Sequence, residues 1–273
     1  MRRLAILALV LVAAFPGSAF SVWGGAVDTA HPSVGAMYFD FMDNGVAVPD
    51  GLICSGSYAG ESRDGRYDVF LTAGHCMPPP ELEIPPSSLL VSFDGDGRDG
   101  VSAPIQVSQY HQMPGFGHDL GDLRDLAVLL LPVGSVASGI PAVQLPTAGY
   151  LDKLKADREL QFRIVDVVGY GVIPVWDPAG PTTFDFDGVR RSGTSIITGL
   201  HKAMVYYNQQ RHGIGTGSGV CFGDSGSPQF DRGTLLVLSV TSGGNGQCNA
   251  NNVNYRVDTP QARAFLGQFL NLP

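Results

Sequence analysis

The stretch CFGDSGSPQF, Cys221–Phe230, sets a single serine, Ser225, between an aspartate and a glycine and closes on Ser227-Pro228. Glycines at 223 and 226 allow a backbone bend that a Cβ would obstruct. A serine displayed on such a bend is either an ordinary turn residue or an activated nucleophile. Serine at its normal pKa attacks poorly and needs a neighbouring base. The choice therefore depends on what the rest of the chain supplies.

Two other stretches supply it. In FLTAGHCM, Phe70–Met77, His75 follows an apolar run and precedes Cys76. In LRDLAVLLLP, Leu123–Pro132, Asp125 stands just before a second apolar run. Taken singly, one is a strand-end histidine and the other a strand-opening aspartate. Taken with Ser225 they form a chemical set. Imidazole takes up a proton near neutral pH, and a buried carboxylate fixes its tautomer and stabilises the imidazolium. The chain order is His, Asp, Ser; subtilisins run Asp-His-Ser and α/β-hydrolases Ser-Asp-His. No serine here satisfies Gly-x-Ser-x-Gly, which counts against a secreted esterase or lipase.

The surroundings are strand-like. Short apolar or alternating runs recur between Gly, Pro, Asn and Asp: VGAMYFD, DVFLTAG, SLLVSFD, APIQVSQY, LAVLLLP, FRIVDVVGYGV, TSIITGL, AMVYYNQ, TLLVLSVTS and VNYRVD. Their β-branched and aromatic content favours strands, and no helices alternate with them, which excludes a parallel α/β sheet. One helix is expected, at the C-terminus. Thr259 caps it, Pro260 suits its first turn, and Ala262, Phe265, Leu266, Phe269 and Leu270 share a face. The charged segment Pro146–Leu160 breaks the strand rhythm and reads as a domain seam.

The first residues read as an address. Arg2 and Arg3 precede the apolar run Leu4–Phe15 and then Pro16, Gly17, Ser18 and Ala19, the pattern of a secretory signal peptide. That run falls short of the roughly 20 residues a spanning helix needs. Residues 1–21 are the expected signal, cut after Ala19 or after Ser21. Export gives the four cysteines, Cys54, Cys76, Cys221 and Cys248, the sense of two disulfides; three pairings are open. A formal charge of −8 disfavours nucleic acid and anionic membranes as partners.

TAGHC, DLAVLLL and GDSGSP resemble the three catalytic blocks of the chymotrypsin-like (trypsin-fold) serine peptidases. VWGG, from Val22, is similar to the family's mature start, and NVNYRV, from Asn252, to its late strand. The resemblance runs from Val22 to the C-terminal helix. It implies an all-β fold of two antiparallel six-stranded β-barrels, at 22–150 and 151–273, followed by a C-terminal α-helix. It also implies a secreted serine endopeptidase, acting as a monomer on polypeptide substrates without metal or organic cofactor. The alternative is a non-catalytic binding protein of the same fold.

Carried over position by position, the resemblance makes His75 the base, Asp125 its orienter and Ser225 the nucleophile. The N–H groups of Gly223 and Ser225 become the oxyanion hole. Cys54 pairs with Cys76, and Cys221 with Cys248. Asp224 pairs with the α-ammonium of a mature chain starting at Val22, with no long activation peptide. The specificity pocket falls to Gly219, Val220, Phe222 and Asn252, with further walls from Thr241–Gly243. Gly219 at its base carries no charge, so an uncharged residue before the scissile bond is expected. Ser227 departs from the family's glycine, which puts a Cβ into a tight turn.

Other features carry less. GDGRDG, Gly95–Gly100, formally fits Gly-x-Gly-x-x-Gly but leads into a strand, so it reads as a solvated turn. His111, His118 and Asp119 read as a Gly/Pro-rich surface loop rather than a metal site.

Overall fold

A computed structural model describes residues 22–48, 51–98, 101–119, 121–177, 180–210 and 217–273. The expected signal peptide, and the end of GDGRDG, lie outside them.

The first half contains β1 (Ala26–Val27), β2 (Val34–Phe39), β3 (Leu52–Glu61), β4 (Tyr67–Thr72), β5 (Leu89–Ser92), β6 (Ile105–Gln106), β7 (Gln109–Gln112) and β8 (Ala127–Pro132). The second contains α1 (Tyr150–Ala156), β9 (Ile164–Gly169), β10 (Ile173–Val175), β11 (Thr183–Asp185), β12 (Arg191–Leu200) and β13 (Met204–Asn208). It ends with β14 (Pro228–Asp231), β15 (Val237–Gly244), β16 (Asn251–Arg256) and α2 (Pro260–Leu266). Strands β9, β12, β13, β16, β15 and β14 pair in that order, and β14 returns to β9, so six strands close into an antiparallel barrel. The first half departs from expectation. It is a seven-stranded sheet, β6-β5-β2-β3-β4-β8-β7, whose end strands do not pair with each other. Strand β1 joins neither its sequence neighbours nor their sheet; it pairs with β12 on the second barrel.

Strand β8 shows why the apolar runs are continuous. Val128 and Leu130 face the core shared with Phe230, Val237, Tyr255 and Phe265, while Ala127, Leu129 and Leu131 face a separate core with Phe70, Leu89 and Val91. Both faces are dry, so alternation disappears from the sequence. Each such leucine contributes roughly 1.5–3 kcal/mol by leaving water. Helix α2 lays Ala262, Phe265 and Leu266 on the shared core, and the Thr259 hydroxyl accepts the Ala262 N–H at 3.1 Å. Within the charged seam, α1 was not expected; Leu151 and Leu154 bury one stripe of it, and Asp258 accepts the Leu151 N–H at 2.8 Å. No helix among the described residues is long and apolar enough to cross a membrane.

Arg190 joins the halves. Buried, it donates to the Asp28 carboxylate at 3.2 Å, to the carbonyls of Val34 and Phe93 at 3.1 and 3.2 Å, and to the Tyr170 hydroxyl at 3.2 Å. Removing the guanidinium leaves the Asp28 carboxylate only its partners on its own side, among them the His31 N–H at 3.0 Å and ring at 2.7 Å, and takes a donor from the Val34 and Phe93 carbonyls; leaving buried groups short of a partner costs about 1–3 kcal/mol each. Arg190→Ala is therefore expected to lower the denaturant midpoint sharply. Equilibrium unfolding in urea will read the loss.

Candidate active site

His75 lies in a single helical turn, Gly74–Cys76, directly after β4, and Asp125 lies just before β8. Because Thr72 pairs with Ala127, the two strands bring these residues together. Asp125, buried, accepts the His75 backbone N–H on Oδ1 at 2.8 Å and meets His75 Nδ1 with Oδ2 at 2.8 Å. An ionised carboxylate only accepts, so Nδ1 is the protonated nitrogen and Nε2 keeps its lone pair. The Ser242 hydroxyl of β15 donates to the same Oδ2, which ties the carboxylate to the second barrel. The cysteine thiols beside His75 are joined as Cys54–Cys76, with S–S 2.00 Å, so they offer no metal site. Cys221 and Cys248 form the second disulfide, S–S 2.05 Å.

The bend around Ser225 is set by what its carbonyls do. In a trans peptide the C=O and the following N–H point in opposite directions. The Phe222 carbonyl accepts from Val172 N at 2.7 Å and the Asp224 carbonyl from Ser227 N at 2.9 Å. The N–H groups of Gly223 and Ser225 therefore point the other way, and neither has a partner among the described residues. Gly223 has φ +89°, a conformation that favours glycine, and a Cβ there would stand 2.9 Å from Leu52 Cδ2. Ser55 of β3 fixes the same bend from the first sheet. Its hydroxyl donates to the Gly223 carbonyl at 2.9 Å and its N–H to the Ser225 carbonyl at 2.8 Å. The extra Cβ of Ser227 is accommodated: the side chain is buried and its hydroxyl shares a 2.9 Å hydrogen bond with Thr241 Oγ1.

Asp224 is fully buried. Its oxygens accept from Gly171 N at 2.8 Å and Cys221 N at 2.9 Å. Burial pushes its carboxyl up to about 7 against the lowering effect of those two donors. Val22 is also buried, its Cγ1 turned toward Gly193, and Trp23 bridges Gly219. Their backbone thus runs alongside the strand segment that leads to Cys221.

A cleft of about 360 Å³ contains His75 and Ser225, with walls from Val220–Phe222, Thr241–Asn245 and Cys248. Among the described residues of its lining, His75 alone carries an ionisable side chain. Val220 and Phe222 line the cleft, with Phe222 55% exposed at the rim. Gly219 and Asn252 are not on the lining. A Cβ at Gly219 would meet the Gln209 side chain at 2.4 Å, and Gln209 itself bonds both the N–H and the carbonyl of Val220. Asn252 is buried, cross-strand from Gly244, behind the wall. Ser225 Oγ shares the cleft with the imidazole without a hydrogen bond to it; such contacts often tighten only with substrate bound. Ser55, Gln209 and the bond from Ser242 to Asp125 were missed by the sequence reading, because nothing in a strand pattern marks a serine or glutamine that bonds across elements. His111 is not in a loop. It sits on β7 with its ring 4.9 Å from that of Phe269, and burial lowers its pKa. His118 and Asp119 do lie on an exposed segment.

Comparison with known proteins bears on the family and the fold. Residues 45–265 match the family model described as Trypsin. Among solved structures, HL collagenase aligns at TM-score 0.59 and 15% identity, covering 90% of this chain and 96% of its own. The Vibrio cholerae VesB protease aligns at 0.60 and 16%, covering 89% and 65%. Human heparin binding protein aligns at 0.61 and 18%, covering 92% and 97%. No curated protein sequence matches the chain.

The buried carboxyl has a measurable consequence while Val22 remains peptide-linked. A group held at about 7 in the fold, against an ordinary 3.8, binds its proton more tightly folded than unfolded. Its contribution is complete below about 3.8 and fades as the pH rises through about 7. Melting temperature should fall across that window, and Asp224→Asn should flatten the slope, as thermal scans at stepped pH will show.

Proposed function

The chain belongs to the trypsin family, and we propose that it is a secreted serine endopeptidase that uses His75, Asp125 and Ser225. The observation that carries this reading is the buried Asp125 carboxylate gripping both nitrogens of His75, backbone and ring, beside Ser225 and two unengaged N–H groups. Those parts suffice for acyl transfer. Ser225 Oγ attacks the peptide carbonyl as its proton passes to His75 Nε2. Asp125 stabilises the imidazolium, and the Gly223 and Ser225 N–H groups stabilise the oxyanion, each worth about 10²–10³ in rate. The C–N bond then breaks, and His75 gives its proton to the departing amine. Water next attacks the acyl ester with its proton going to His75, and that proton returns to Ser225 Oγ as the acid leaves.

The uncharged cleft supports an uncharged residue on the acyl side of the scissile bond. Activation is assigned to Val22. Cleavage after Ser21 frees an ammonium that pairs with the buried Asp224 carboxylate and steadies the bend. The alternative, a binding protein without catalysis, draws on the heparin binding protein among the neighbours. Against it stands the full set of three side chains, with Asp125 bonded to His75 and Ser225 sharing the cleft with the imidazole.

Two measurements decide. An active-site-directed organophosphorus reagent should label Ser225 in the active protein. Ser225→Ala should abolish labelling and lower turnover of a peptide substrate by about 10⁶; undiminished turnover would refute the assignment. N-terminal sequencing of the active form should read Val-Trp-Gly-Gly. An active form beginning elsewhere would remove the Val22–Asp224 pairing.

A further inference from the structure

The peptide unit between Gly74 and His75 is held from both ends. Its N–H, that of His75, donates to Asp125 Oδ1 at 2.8 Å. Its C=O, that of Gly74, accepts the side-chain amide of Gln112 at 2.8 Å and the N–H of Met77 at 3.0 Å. A carbonyl oxygen only accepts, but it has two lone pairs. Met77 closes the turn on one of them, and Gln112 Nε2 takes the other.

Gln112 is the last residue of β7 and lies opposite Ala127 of β8, whose other neighbour is Thr72 of β4. Its side chain therefore reaches across the end of β8 to the turn that follows β4. The peptide it grips is packed against the carboxylate: a Cβ at Gly74 would stand 3.1 Å from Leu126 N and 3.2 Å from Asp125 Oδ1. In a trans peptide the C=O and the following N–H point in opposite directions, so a donor that fixes the C=O also aims the N–H. Hydrogen bonds in series also polarise one another, strengthening each by roughly 10–30%. His75 meets Asp125 twice, with its backbone N–H on Oδ1 and its ring Nδ1 on Oδ2. A tilt of the peptide therefore displaces the ring as well.

We infer that Gln112 is a positioning residue for the reaction: through the 74–75 peptide it holds His75 in register with Asp125. The inference rests on the peptidase reading and adds a residue that touches neither substrate nor the reacting atoms. Gln112 lines neither the cleft nor a second, apolar cavity of about 270 Å³ on the other side of His75 and Ser225, walled by Phe39, Ile53, Leu89 and the Cys54–Cys76 disulfide. Its effect therefore falls on the chemical step and spares substrate binding.

Gln112→Met removes the donor at nearly constant volume. In the active protein it should lower kcat for a peptide substrate about five- to tenfold, the rate equivalent of one neutral hydrogen bond, with KM unchanged. Should that variant fail to fold, Gln112→Glu keeps the shape but presents only acceptors when ionised, and should show the same fall at constant KM. The proton between His75 Nδ1 and Asp125 Oδ2 gives a readout independent of turnover. Its NMR signal, far downfield because the hydrogen is held by a carboxylate, should move upfield and exchange faster with water in the Gln112 variants. Gln109→Met, on the same strand and bonded to the Tyr67 hydroxyl, should leave kcat, KM and that signal unchanged. A lower melting temperature with kcat and the proton signal unaltered would mark a purely structural staple and overturn the inference, as would a loss confined to KM. No turnover by the parent protein overturns the peptidase reading and the inference with it.

Discussion

Two hydrogen bonds from Ser55 hold the candidate site in one piece. The proposed nucleophile and oxyanion donors belong to the second barrel, and the proposed base and its carboxylate to the first sheet. Their relative placement therefore depends on the seam. At the seam, the Ser55 hydroxyl and N–H bind the carbonyls of Gly223 and Ser225, while Ser242 reaches back to Asp125. Each half thus positions a group that the other half's chemistry uses. Errors of about an ångström in such placement can cost about a hundredfold in rate. That explains why small buried hydroxyls occupy a contact that larger apolar residues could otherwise fill.

Much of this was legible in the sequence, for identifiable reasons. The three blocks around His75, Asp125 and Ser225 are local patterns, and each keeps its meaning wherever the chain runs. Strands such as β8, dry on both faces, announce themselves as apolar runs. What escaped was material whose logic is tertiary. Strand β3, LICSGSYAGE, looks like a loop because of its glycines and serines. Yet a Cβ at Gly56 would stand 2.3 Å from the Phe70 ring, so the small residue is what allows the strand to lie there. Helix α1 was hidden because only Leu151 and Leu154 mark its buried stripe. Gly219 was assigned to the pocket by its distance from Ser225, but the Gln209 side chain stands where its Cβ would point, a neighbour ten residues away along the chain.

The two cavities that flank Ser225 differ in construction. One wall set combines the backbone and small side chains of β15 with Val220, Cys221 and Phe222; the other is packed apolar side chains braced by a disulfide. A strand edge adapts to many side chains because its hydrogen bonds go to main chain. A packed apolar hole discriminates by volume and dryness. The disulfide at Cys54–Cys76 matters here twice: it anchors the turn that carries His75, and it forms part of the apolar wall.

In the proposed activation, Asp224 connects chemistry to maturation through a single electrostatic requirement. A carboxylate removed from water must be neutralised, either by a proton or by a cation. In the chain with Val22 peptide-linked, the two donors from Gly171 and Cys221 do not suffice, and the group is driven toward the protonated form. A free ammonium at Val22 would supply the missing charge where the backbone of Trp23 already bridges Gly219. Neutralisation by a proton leaves the bend dependent on pH; neutralisation by an ammonium removes that dependence until the amine itself deprotonates, above its ordinary ~7.7–8.0 if pairing raises it. In the proposed activation, the same buried charge penalises the fold before processing and steadies the bend around Ser225 after it.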